Sequence, residues 1–310
     1  MKQAIARPYI AMLWASVWFA GMVLLIQACG GQCAWQTVAS MRSIIAAVVA
    51  LGLARAAGVK LVFPGPRTLW LRSLAGSLSM VATFYALTHL PEAASDLLVI
   101  NNASPIWLAL LSWPVLGEKP SAAVVIAVVC AVAGVAVMQQ AGFHEFTLAH
   151  AAAVFASLFT AIAMMGLNRL QNVPSLAIVV HFSAVSTAVC LGSFLIFPVA
   201  AGTPVLPGTP GLWAVLVAVG ITAVFGQVFL TEAFRGGTAT KVSVVGLSQI
   251  VMVMLWEWCV QGRAFNVWQL LGVALVLGPM AYLMTRDRTR RIKFAARPEA
   301  QATPAVANNL

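Results

Sequence analysis

Apolar residues gather in ten runs, each long enough to cross about 30 Å of hydrocarbon at about 1.5 Å of helical rise per residue. They extend from Tyr9 to Ala28, Gln36 to Ala54, Trp70 to Leu90, Ala93 to Leu116, Ser121 to Gln140, Leu148 to Leu167, Leu176 to Phe197, Leu212 to Phe234, Thr240 to Val260 and Val267 to Met284. Turn chemistry separates them: Cys29-Gly30-Gly31, Phe63-Pro64-Gly65-Pro66, Leu116-Gly117-Glu118-Lys119-Pro120, Thr203-Pro204 to Pro210-Gly211, and Arg235-Gly236-Gly237. These breaks are too short to hold a water-soluble domain, so the pattern predicts an all-α integral membrane protein of ten spanning helices. Lys2 and Arg7 before the first run resemble the start of a signal peptide. The run is longer than the usual 7–15 residues of such a segment, and we read it as a spanning helix.

Composition agrees. Of 310 residues 61% are apolar and 8% charged, with mean hydropathy +0.94, whereas a soluble domain carries about 25% charged residues. The five cysteines lie scattered through apolar runs and outline no disulfide scaffold, with a free thiol at Cys29 or Cys33 as the one reactive option. A net charge of +10 without a basic stripe, interleaved aromatics or a zinc-finger pattern does not describe a nucleic-acid binder. With the N-terminus inside, 16 of the 18 Lys and Arg residues fall in cytoplasmic segments, Arg72 among them, leaving Arg263 outside and Arg42 within the second run. The charge is thus a topology signal, with both termini cytoplasmic, and it adds attraction to anionic lipid.

The chain repeats. The run Leu108 to Pro120 precedes the helical run Ser121 to Met138, and the run Met252 to Phe265 precedes Val267 to Met284. Matching pairs upstream break at Leu90-Pro91 and at Gly236-Gly237. The period is near 140 residues, giving one unit over 9–140, a second over 148–285, and a basic, then disordered, tail over 286–310. Because each unit has five spans, the second enters the membrane inverted, as in many secondary transporters.

Tyr85-Ala86-Leu87-Thr88-His89-Leu90-Pro91, then Ser104-Pro105, then Leu116-Gly117-Glu118-Lys119 resemble the repeat signature of the drug/metabolite transporter superfamily, in particular its EamA branch. The likeness covers Tyr9 to Met284. It implies a ten-helix carrier of a bacterial inner membrane with a central cavity between the halves, and many similar proteins export amino acids, other metabolites or toxic compounds. The second half departs from the signature, with Gln249 near the expected proline and Gly262-Arg263 near the expected Gly-Glu. Glu118 therefore has no symmetric counterpart and is expected to be structural.

A charged side chain in hydrocarbon costs at least about 2.5–3.5 kcal/mol and persists where it meets a wet cavity or a partner. On that ground Arg42 is the leading candidate for the cavity, with His181 its counterpart under the repeat; the alternative for Arg42 is an ion pair with Asp96 or Glu257. Those two carboxylates are the candidates for proton exchange. Asn101, whose carbonyl Pro105 deprives of its helical donor, and Gln249 would offer neutral polar contacts at mid-membrane. Trp14, Trp18 and Tyr85 would form an aromatic cavity wall; lipid-facing placement is the alternative. Glu232 with Arg235 reads as a snorkelling pair at a helix end. Ala127/Ala131 and Ala274/Gly278 read as close packing faces.

The chain has no P-loop, no His-Glu-x-x-His and no Gly-x-Ser-x-Gly pattern. No cofactor or metal is expected. The expected partners are the bilayer and a small-molecule substrate; no nucleic acid is expected, and a homodimer is left open. The function expected is secondary transport of a small metabolite, amino acid or drug-like compound, with export favoured. An intramembrane lipid-modifying enzyme and a channel are the competing classes.

Overall fold

The computed structural model describes residues 2–29, 31–89, 100–117, 119–139, 147–262 and 265–295. Their regular structure is helical throughout: α1 (Lys2–Ala28), α2 (Trp35–Ala56), α3 (Arg67–His89), α4 (Ser104–Leu116), α5 (Ala122–Gln139), α6 (Leu148–Arg169), α7 (Ser175–Ile196), α8 (Pro210–Gly236), α9 (Ala239–Gly246), α10 (Ser248–Gln261) and α11 (Val267–Ala295). Helices satisfy every backbone polar group within the segment, which is what hydrocarbon demands. Among the described residues, six segments are long and apolar enough to span a membrane on length and composition alone: Arg7–Ala28, Trp35–Ala56, Leu148–Arg169, Ser175–Ile196, Pro210–Gly236 and Ala239–Trp256. That last segment covers α9 and most of α10.

Helix ends follow local chemistry. Thr209 Oγ1 accepts the Leu212 N–H at 3.3 Å to cap α8. Asn266 and Gln269 cap α11 reciprocally, each side chain accepting the other's backbone N–H, at 2.8 and 3.0 Å. Gly117 and Gly262 close α4 and α10 in left-handed conformations, with φ of 72° and 65°. The Gly of the repeat signature thus terminates the same helix in both halves, because only glycine takes that conformation without a steric cost.

The ninth apolar run departs from expectation: it is two helices, α9 and α10, parted at Leu247. The fourth run is broken likewise, Asn102 and Ala103 forming a turn ahead of α4. At both breaks the hydrogen bonds tighten to i→i−3, Ala103 N–H to Ile100 O and Leu247 N–H to Val244 O, at 3.1 and 3.2 Å. Pro105 explains the first break. At the second, glycine provides the weak point, and a Cβ on Gly246 would come within 2.8 Å of Met12 Cε. At the other end of the chain α11 continues to Ala295, so the basic segment expected to be a tail from Arg286 is helical over its first part; no Gly or Pro interrupts it before Pro298.

Packing follows a pseudo-two-fold pattern. Helix α1 packs on α8 as α6 packs on α3, α2 packs on α8 as α7 packs on α3, and the pairs α2/α7 and α5/α11 join like to like. Two inverted five-span halves produce this pairing. Glycines permit the closest approaches: a Cβ on Gly226 would stand 2.7 Å from Phe19, on Gly220 2.5 Å from Ile45, and on Gly134 2.7 Å from Leu275. Close contact of α5 with α11 thus falls at Gly134, while Gly278 has open space around it.

The distribution of polarity differs from a soluble protein's. Arg72, His181 and Gln36 are each 1% exposed, whereas Leu195 is 91% and Ile126 62% exposed. Large apolar side chains cover much of the outer surface, while several charged and polar ones are buried beside the apolar core. Such an arrangement positions a polar site inside the bundle.

Candidate functional site

Both broken helices point at one cavity of about 520 Å³ in the bundle centre. Asn101, Asn102 and Ser104 line it from the fourth span and Ser243, Gly246, Leu247 and Gln249 from α9 and α10, so the two breaks meet across it. Arg42, Thr83 and Thr160 add polar groups from α2, α3 and α6, and Met12, Met22, Met80, Met164, Leu108, Leu230 and Phe234 supply apolar wall. A second chamber of about 240 Å³ shares Met22, Arg42, Met80, Asn101, Thr160, Met164 and Gln249 with the first and extends to Arg72, Gly76, Ser79, Phe182 and Gln227. Volumes of several hundred Å³, mostly apolar with a few convergent polar groups, are those of small-molecule sites.

Arg42 is 7% exposed and belongs to both chambers. Its Nε donates to Met22 Sδ at 3.2 Å and its Nη1 to Met80 Sδ. Thioethers are weak acceptors. Asn101 Oδ1 accepts from Thr83 Oγ1 at 3.1 Å, which orients the amide toward the cavity it lines.

The cavity is shut at the end of the bundle that holds Pro8. Met12, Leu108, Leu230 and Phe234 on its floor belong to the largest buried apolar cluster. Polar stitches hold that end together: Asn168 Nδ2 donates to the carbonyls of Phe234 and Gly237 at 3.1 and 2.9 Å. Arg235 Nη1 donates to Ser175 Oγ at 2.6 Å and Arg235 Nη2 to Gln171 O at 2.5 Å, and Arg169 Nη2 reaches Val115 O. The Glu232–Arg235 pair forms as expected, at 3.4 Å. At the opposite end the cavity lining includes the exposed Gln27.

The expected site residues divide. Arg42, Asn101 and Gln249 line the shared cavity. His181 does not: it is buried between α3 and α7, its Nδ1 against Ser73 Oγ at 2.9 Å and its ring edge-on to Trp70 at 4.6 Å. Trp14 is 52% exposed and Trp18 stacks on Phe225 at 4.8 Å, so both lie on the outer face of the α1/α8 contact, where the lipid-facing alternative applies. Their i, i+4 spacing fixed one face of α1 but not which face turned inward. Tyr85 lies against Phe197 at 5.0 Å, beside a separate apolar pocket. Asp96 lies outside the described residues, as does Glu118, and the side chain of Glu257 lies outside them too.

Arg72 is the residue that the sequence reading misplaced. Counted with the cytoplasmic residues although it falls within the third apolar run, it stands inside α3, 1% exposed, because the helix begins at Arg67 and places it well over a turn in. A signal was present: Arg72, Gly76, Ser79 and Thr83 fall at i, i+4, i+7 and i+11, one face of a helix, and all four line a chamber.

Outside the spans, Cys29 and Cys33 are buried and free. Burial pushes both thiols up from the ordinary cysteine range, and the neighbouring Cys33 adds to the effect at Cys29. The reactive-thiol option is thereby weakened.

The model of the EamA-like transporter family matches residues 6–139 and again 146–285. This chain belongs to the EamA-like transporter family. The pseudopaline exporter CntI of Pseudomonas aeruginosa is 29% identical over 246 residues, covering 79% of this chain and 84% of the relative. An uncharacterized transporter of Helicobacter pylori is 25% identical over 217 residues, covering 69% of this chain and 72% of that one. A protein of known crystal structure shares the fold with a TM-score of 0.77 at 19% identity, over 92% of this chain and 98% of its own. The protein is therefore a multi-pass membrane transporter.

Proposed function

We propose that the protein is a secondary exporter that moves a small metabolite, amino acid or drug-like compound across the inner membrane by alternating access, with both termini in the cytoplasm. The observation that carries this reading is the meeting of two pseudo-symmetric helix breaks on one cavity with a few convergent polar groups, floored at one end by buried apolar side chains. In transporters built from inverted repeats such breaks lie at the substrate site, where unwound backbone offers polar groups that an unbroken helix would use internally. Similarity to an exporter supports the direction, and the segregation of Lys and Arg supports the orientation.

Asn101 and Gln249 supply amide contacts, one from each half, and Arg42 supplies the charge. Asp96 and Glu257 are our candidates for proton exchange. Flux in proteoliposomes tests the whole reading. It should be substrate-specific and saturable, and Arg42→Ala should reduce it at least tenfold while the protein still inserts. Flux that never saturates would make the protein a channel, and release of a chemically altered product would make it an enzyme.

A further inference from the structure

Two arginines stand in this membrane-embedded core, and neither meets a carboxylate among the described residues. Arg42 donates to two thioether sulfurs. Arg72 gives one bond, Nη2 to Gln227 Oε1 at 3.0 Å, and lies over the Phe182 ring with its guanidinium carbon 4.0 Å from the centroid. Its Nε and Nη1 are buried with no hydrogen-bond partner. The surrounding helices make room for this side chain: a Cβ on Gly166 would come within 2.9 Å of Arg72 Cβ, and one on Gly76 within 2.9 Å of Phe182. Both arginines line the 240 Å³ chamber, whose other polar residues are neutral.

A buried charge with unfilled donors is expensive, and a pair of like charges around one small chamber more so. A fold that carved space for it gains only if a counter-charge arrives. The neutral amides and hydroxyls cannot provide that charge, while an oxyanion can take several charge-assisted bonds from two guanidinium groups. The adjoining 520 Å³ chamber then receives the rest of the molecule against methionine and leucine side chains, which adapt to varied apolar shapes.

We infer that the substrate is an organic anion, its carboxylate head held between Arg42 and Arg72 and its body in the methionine-lined chamber. This inference rests on the transporter reading above and narrows its substrate class.

The test uses the full chain in nanodiscs of neutral lipid, with thermal unfolding and tryptophan fluorescence as binding readouts. The probes are 3-phenylpropionate, phenylsuccinate, the neutral 3-phenylpropionamide, and inorganic phosphate. Both carboxylates should bind, and the amide should bind at least tenfold more weakly than its acid. Arg42→Ala and Arg72→Gln should each weaken the acids at least tenfold and so narrow the preference for acid over amide. Arg72→Lys keeps the charge and should keep the preference for acid over amide, which guards against a variant that simply misfolds.

Equal binding of acid and amide, no binding of either carboxylate, or an acid preference that survives loss of each arginine would overturn the inference. Phosphate binding as tightly as the carboxylates would overturn the organic part and leave an inorganic-anion site. Rescue of Arg42→Ala by Asp96→Asn or Glu257→Gln would reveal an internal ion pair instead and likewise overturn it. Flux of the same probes in proteoliposomes separates the two readings. Carboxylate binding without any flux refutes transport and leaves the site, whereas saturable flux of neutral compounds only, reduced by Arg42→Ala but untouched by Arg72→Gln, refutes the site and leaves transport.

Discussion

At the scale of single residues, burial decides what a side chain can do. Cys29 and Cys33 carry less thiolate at a given pH than a free cysteine, because their folded pKa values are raised by burial. A thiolate-selective alkylating reagent at pH 7.5 should therefore modify them more slowly than it modifies glutathione. The rate should climb as pH rises past the ordinary thiol range, and mass spectrometry of the labelled protein gives the answer. Labelling as fast as glutathione would mean that this loop is open. Burial also separates His181 from Arg42, which sequence position made equivalent. Arg42 reaches a cavity, while His181 is packed against Trp70 and Ser73 of α3, with Ser77 Oγ and Ser186 Oγ a further 2.8 Å pair between α3 and α7.

At the scale of elements, glycine positions are where the bundle is most sensitive. Gly220→Val would force side-chain atoms into Ile45, whose Cβ already lies 2.5 Å from an added Cβ. Overpacking of this kind costs about 1–3 kcal/mol, and thermal unfolding in detergent should show the loss while Gly192→Ala, at a site with nothing within 4 Å, changes it little. Gly117→Ala and Gly262→Ala should each cost about 1–2 kcal/mol, since both positions need the left-handed conformation. If either were neutral, the end of its helix must be able to re-form without that turn. The ten spans were legible as apolar runs because the bilayer imposes their length. The breaks at Asn102 and Leu247 were only half legible: Pro105 announced the first, while the second shows in the sequence only as a glycine and was read as continuous helix.

At the scale of the whole molecule, the closed end is a set of removable contacts. Asn168→Ala deletes the two bonds to Phe234 O and Gly237 O, each worth about 0.5–1.5 kcal/mol net. The bundle should then open more readily at the Pro8 end. A cysteine introduced at Ser243, in the cavity wall, should become more accessible from that side in Asn168→Ala than in the Asn168 background, and unchanged labelling would show that the stitch does not hold the gate. An anionic substrate adds a second consequence. Moving one charge through a membrane potential is worth about 2.3 kcal/mol per 100 mV. Efflux of an accepted carboxylate from proteoliposomes should therefore speed up under an interior-negative potassium diffusion potential and slow down when the potential is reversed. Indifference to the potential would require a compensating co-transported cation.

The sequence by itself determined the membrane class, the ten spans, the internal repeat and the arginine and two amides at the centre. Those follow from periodicity, length and the cost of charge in hydrocarbon, which act on every stretch of chain alone. The tertiary structure decided which face of each helix turned inward. A tryptophan pair on α1 and a tyrosine on α3 were placed outside the shared cavity, and Arg72 was brought into the smaller chamber beside it, against Phe182 of α7 and Gln227 of α8. The reason is that a helix presents the same pattern to every neighbour. In a bilayer, where apolar surface is welcome on either side, the inward face is settled only when close-packing glycines and polar partners from other helices are in place.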